Sequence, residues 1–204
     1  ATMTHLIGLN NLISVGDDLR VIANYKLLVI DGFSKLTSVG GDLHLDNNGE
    51  LVSLGDAEAG TGLSNITSVG GDLNIWNSQG LVHIDGLLGL EYVGGNAKIS
   101  NNDKLENLDG LVGLQTVTGY MSISYNDNLA DLAGLVGLST VFESVYIREN
   151  DSLSNLDGLS TMTDVGDILS IWNNNALTSL AGISGIGAVK LHLNAVPRRH
   201  NGDL

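Results

Sequence analysis

The sequence predicts an all-β-rich solenoid of about seven coils with one parallel sheet, residues 1–204 forming a single repeat domain. Three observations carry this reading. A unit of 24 residues starts at Gly8, Gly32, Gly62, Gly86, Gly110, Gly134 and Gly158, with a decayed eighth copy from Gly182. Within each unit one stretch alternates apolar and polar residues, as in Leu43 and Leu45, Leu73 and Ile75, Met121 and Ile123, Leu169 and Ile171. That is the period of a half-buried strand. The rest of the unit spaces its apolar residues by three, as in Leu105, Leu108, Leu111, Leu114 and Val117. An α-helix mixes threes with fours to keep one face, so this spacing predicts tight 3₁₀-like or extended arcs.

Taken in order along the unit, the Gly-Gly pairs at 40 and 41, 70 and 71, and 94 and 95 are the corners before each strand. A side chain there would clash, or φ must be positive. The strand follows. Asn24, Asn48, Asn102, Asn126, Asn150 and Asn174 then share one column three places after the second inward residue, broken by Ser78. A buried amide must find partners, so this column predicts an internal ladder bonded to the backbone of adjacent turns. Asp31, Asp85, Asp109 and Asp157 precede the Gly-Leu turn and are expected to cap or hydrogen-bond it. The step from Gly32 to Gly62 contains six extra residues, "DAEAGT" at 56–61, read as an insertion loop. A lone coil cannot bury its apolar row, whereas stacked coils close a continuous core and pair their strands in parallel.

Composition bounds the rest. A chain of 204 residues with 43% hydrophobic content can bury a substantial core. The absence of cysteine excludes a disulfide framework and a thiolate zinc site. A net charge of −14 with nine Lys and Arg leaves no basic surface for nucleic acid or anionic membranes. No apolar run is long enough to span a bilayer, so membrane insertion is not expected. The start, "ATMTHLIGLNN", has no signal-peptide pattern, and a processed secreted chain would look the same. Residues 194–204 read as a C-terminal tail carrying a small basic patch, "RRHNGD". Of the two sequons, Asn150 belongs to the ladder, which leaves Asn65 to carry a glycan.

The segments "LNIWN" and "AKISN" resemble the L-x-L-x-x-N core of leucine-rich repeats, and the longer unit "GL..L..VGGDL.I..N..L..L.GL" is similar to the receptor L-domain family. The match runs over roughly residues 6 to 193 and rests on seven columns. Without the cysteines of the animal receptors, the chain looks more like the plain repeats of microbial surface proteins. The resemblance implies a right-handed, single-stranded, leucine-rich-repeat-like β-helix, located outside the cell or at its surface and binding partners. It implies no catalytic residue.

Any specificity is expected in the outward residues that flank each strand's inward pair. Among them are Asp42, His44 and Asp46; Asp72, Asn74 and Trp76; Lys98; Tyr120; Tyr146 and Arg148; and Trp172. Trp76 and Trp172 share a column, with Tyr120 and Tyr146 nearby. Exposed aromatics on a flat sheet stack on sugars or anchor protein interfaces, and they also simply cover one another across a ladder. Asp42, His44, Asp46 and Asp72, expected on two adjacent strands beside the insertion, read first as a solvated acidic patch. Their carboxylates could alternatively hold Ca²⁺, and no other cofactor is expected. No nucleophile motif or phosphate loop is present, and catalytic residues are expected to be none. Two functions follow as expectations: a non-enzymatic recognition or adhesion domain binding a protein or glycan through its strand face, or a structural subunit stacking end to end with copies of itself into a fibre or surface layer.

Overall fold

The computed structural model describes residues 3–56 and 58–194, which form a parallel β-solenoid with no α-helix among them. Its main sheet has eight strands: β1 (Leu19–Ile22), β2 (Leu43–Asp46), β3 (Leu73–Trp76), β4 (Ala97–Ser100), β5 (Met121–Ser124), β6 (Val145–Arg148), β7 (Ile168–Trp172) and β8 (Lys190–Asn194). They pair in chain order and in strict register, so that Leu43, Leu73, Ala97, Met121, Val145, Leu169 and Leu191 form one row. The decayed eighth copy therefore closes a coil too, and supplies β8. The tail beyond Asn194, with its basic patch, lies outside the described residues.

One parallel sheet was expected, and the structure adds two more, a short one in which His5–Leu6 pairs with Val29–Ile30 and a longer one. Two-residue strands at Ser14–Val15, Ser38–Val39, Ser68–Val69, Tyr92–Val93, Thr116–Val117, Thr140–Val141 and Asp164–Val165 pair into a seven-stranded parallel sheet just before the main one. Two residues are too few to show a period. The spacing by three resolves, in the later coils, into 3₁₀ turns at Asp85–Leu87, Asp109–Leu111, Ala133–Leu135, Asp157–Leu159 and Ala181–Ile183. Leu105, Leu108, Leu111, Leu114, Val117, Met121 and Ile123 are all buried, one coil's share of a continuous core.

The turns are capped differently from expectation. Asn107 Oδ1, Asp131 Oδ1, Asn155 Oδ1 and Ser179 Oγ accept the amides of Asp109, Ala133, Asp157 and Ala181 at 2.9–3.1 Å. The cap thus comes from two residues before the position occupied by Asp85, Asp109 and Asp157. Those aspartates open the turn instead, stacked above one another. Burial, with Asp85 and Asp131 nearby, raises the Asp109 carboxyl above its ordinary range.

Two polar ladders tie the coils. In the first, Asn48, Asn102, Asn126 and Asn150 are buried, and Asn24 and Asn174 at the ends are half-buried. Asn126 shows the pattern. Its Nδ2 donates to the Ile99 carbonyl at 3.1 Å, while its Oδ1 accepts the Asn102 amide at 3.1 Å. Ser78 accepts the Asn48 amide through Oγ at 3.3 Å, and its own amide donates to Asn102 Oδ1. The second ladder stands just before the strands. Asp18, Asp42, Asp72 and Asn96 each offer Oδ1 to the amide of the corresponding residue one coil on, at 2.7–3.0 Å.

This second ladder explains the Gly-Gly-Asp wording. A Cβ on Gly41, Gly71 or Gly95 would fall on the Oδ1 of Asp18, Asp42 or Asp72, and one on Gly70 or Gly94 on the carbonyl of the preceding coil's Gly. Their φ angles are not positive, so close approach alone selects glycine. Positive φ instead falls right after each strand, at Ala23, Asn47, Asn77, Asn101, Tyr125, Glu149 and Asn173, all between 53° and 58°. Asn, the residue other than glycine that best tolerates this region, dominates that column.

Residues 58–61 of the insertion loop out of the wall, and the register is not shifted. The Leu63 amide donates to the Leu54 carbonyl across the neck, and Val29, Ser53 and His83 remain bridged in parallel. The neck packs on Gly86, at the 3₁₀ corner rather than beside the acidic ends of β2 and β3.

Candidate ligand-binding face

The outer side of β1–β8 presents three columns. The last runs Ile22, Asp46, Trp76, Ser100, Ser124, Arg148 and Trp172, and the middle one Arg20, His44, Asn74, Lys98, Ser122, Tyr146 and Ser170. Asp18, Asp42, Asp72, Asn96 and Tyr120 stand before the strands. Strands about 4.8 Å apart place Trp76 and Trp172 roughly 19 Å from each other.

Side chains on this face are paired, not isolated. Lys98 Nζ sits 4.0 Å from the centre of the Trp76 ring, and the Arg148 guanidinium 5.5 Å from that of Trp172. Both are cation–π contacts. Tyr120 and Tyr146 meet edge to face, with ring centres 6.1 Å apart. These six residues make three contacts along β3 to β7.

The serines between them are covered. Ser100, Ser122 and Ser124 point outward yet are only 3%, 4% and 1% exposed. Small side chains flanked by Trp76, Lys98, Tyr146 and Arg148 lie under these larger neighbours, and Ser100 and Ser124 bond each other at 3.1 Å. Burial holds the Lys98 ammonium below its usual range, and the nearby Arg148 charge adds to the effect while Asp46 opposes it. Trp76 Nε1 and Arg148 Nε are buried donors with no hydrogen-bond partner among the described residues. Such groups are uncommon in a folded protein.

The acidic residues of the same face are otherwise engaged. Asp42 and Asp72 belong to the second ladder through Oδ1. The other oxygen of Asp42 meets His44 Nε2 at 3.1 Å, and that of Asp72 meets Asn96 Nδ2 at 3.3 Å. Asp46 lies next to Trp76 on the neighbouring strand. Among the described residues no three His, Cys, Asp or Glu side chains come together as a metal site, and this holds for Asp42, Asp46 and Asp72. No described helix is long and apolar enough to cross a membrane.

Sequence reasoning placed the aromatics in their columns but missed their cationic partners' positions. Lys98 lies one strand from Trp76 and two places earlier in its coil, a diagonal relation visible only once the register is known. The fold defines the class of this molecule, a parallel β-solenoid with a decorated sheet face. Comparison with protein-family models, curated proteins and solved structures returned no match to this chain.

Proposed function

We propose that this protein is a non-enzymatic recognition domain, extracellular or at a cell surface, that binds a protein or glycan through the outer face of β3 to β7. The observation that carries the reading is the clustering of Trp76, Lys98, Tyr120, Tyr146, Arg148 and Trp172. Both tryptophans and two of the five tyrosines of the chain stand on this one sheet face. Ring faces there supply large contact area at low entropic cost, and the cations add direction. The cellular location rests on the resemblance of the repeat to receptor L-domains and microbial surface proteins.

Replacing Trp76→Ala and Trp172→Ala together is expected to weaken binding of a ligand found by glycan or protein screening at least roughly tenfold. Calorimetric titration checks this alongside a melting curve that confirms the fold. Unchanged affinity at an intact melting temperature would refute the reading.

The ends of the solenoid favour a second reading, a structural subunit that stacks on copies of itself. Leu191 and Leu193 occupy rows that are buried throughout the middle of the molecule, yet they are 45% and 50% exposed, and Leu9 is 43% exposed at the opposite end. Exposed core rows and sheet edges are templates for another coil. Light scattering at physiological salt separates the readings. A 21.3 kDa monomer supports recognition, and concentration-dependent growth into filaments supports stacking.

A further inference from the structure

We propose that Lys98 and Arg148 form an anion-binding pair for the carboxylate of an acidic sugar, so that the ligand of this face is a uronate-type glycan. The inference rests on the strand-face reading above and names the chemistry of its ligand.

The charge pattern is the first argument. In a chain with 23 acidic residues, Arg20, Lys26 and Lys190 each meet a carboxylate, that of Asp18, Glu50 and Asp167. Lys35, Lys98, Lys104 and Arg148 form no ion pair among the described residues, and of these four Lys98 and Arg148 stand on the main sheet, two strands apart. Two like charges held near one another and partly desolvated repel, and an anion placed between them relieves that repulsion. The serines of β5 that separate the pair are too small to intervene.

Unmet hydrogen bonding is the second argument. Trp76 Nε1 and Arg148 Nε are buried donors that lack an acceptor among the described residues, on the strands either side of the covered Ser100–Ser124 pair. A ligand that brings both a charged oxygen and a hydroxyl satisfies both. The edge-to-face Tyr120 and Tyr146 rings meanwhile bring apolar aromatic surface beside the cations, and such rings stack on pyranose faces. A carboxylated sugar carries all three features in a single residue, whereas an acidic peptide brings charge and carbonyl acceptors but no pyranose face to stack on the rings. The net charge of −14 opposes long-range attraction of any polyanion, and at physiological salt screening acts beyond about 8 Å. Affinity must then arise from contact at the pair.

The test is calorimetric titration of the whole protein with short oligogalacturonate, oligomannuronate and oligoguluronate, each beside its fully methyl-esterified form. Esterification removes the charge and keeps the sugar. At least one oligouronate is expected to bind, its ester roughly tenfold or more weakly, and Lys98→Gln with Arg148→Gln is expected to cause a similar loss at unchanged melting temperature. Equal affinity for acid and ester, or an unaffected double variant, would overturn the carboxylate pair. Loss on Trp76→Ala with Trp172→Ala would in that case leave the strand face standing as a binding surface. Binding of oligoglutamate through the same pair, with no oligouronate bound, would overturn the sugar assignment, and so would a wild-type protein that binds none of the three acids.

Discussion

Gly134→Ala is expected to destabilise the protein on the order of 4 kcal/mol, which lowers its melting temperature by roughly 10 °C. A Cβ at this position would fall on the carbonyl oxygen and carbon of Leu108 and close to the Asp109 amide, all backbone atoms of the preceding coil. No rotamer change can clear them. Separation of the coils is set by strand pairing at about 4.8 Å, so making room for a methyl group means breaking the stack on one side. The turn cannot yield either. Asp131 Oδ1 holds the Ala133 amide, and the Leu135 amide donates to the Leu132 carbonyl, which pins Gly134 from both sides. Gly49→Ala is the control, since a Cβ there meets nothing within 4 Å, and it is expected to move stability by no more than about 0.5 kcal/mol. Differential scanning calorimetry of the two variants decides the matter. Equal melting temperatures would show that the 3₁₀ corner is far softer than its contacts indicate.

That comparison marks what could be read from the chain alone. The 24-residue unit, the inward pairs of the strands and the column of asparagines follow from periodicity, because a solenoid writes its spatial neighbours at a fixed sequence distance. Features without a period were hidden. Ser38–Val39 and its counterparts form a sheet only because neighbouring coils happen to be in register, and two residues carry no alternation. Asp42 and Asp72 look like free carboxylates in the sequence, yet they act as amide acceptors like Asn96 in the same column. That substitution of Asn for Asp was itself the available clue, since an amide oxygen can replace a carboxylate in accepting a hydrogen bond but contributes no charge to a cation site. On the candidate face, identity was legible and conformation was not. Trp76 and Trp172 could be assigned to one column, whereas the position of Lys98 over one ring and Arg148 over the other depends on side-chain torsions and on the serines that leave them space.

Asn126→Ala should be the most damaging change in the asparagine ladder, costing about 3 to 5 kcal/mol. Two buried backbone groups lose their partners at once: the Ile99 carbonyl that accepts from Nδ2, and the Asn102 amide that donates to Oδ1. Each unsatisfied group carries about 1 to 3 kcal/mol, because neither water nor another side chain reaches the middle of the stack. Position within the solenoid then sets the magnitude. Asn174 makes the same kind of bonds, to the Ile147 carbonyl and the Asn150 amide, but it is half-buried near the last coil, where solvent can replace the lost amide. Asn174→Ala should therefore cost about 1 kcal/mol. Asn126→Ser should fall between the two, since Ser78 shows that a hydroxyl in this column still accepts the neighbouring amide while failing to reach the carbonyl of the preceding coil. Urea unfolding of the three variants gives the order directly. If Asn126→Ala and Asn174→Ala lose the same stability, the ladder acts through chain stiffness or turn preference at each coil, and the buried hydrogen bonds are not what sets its strength.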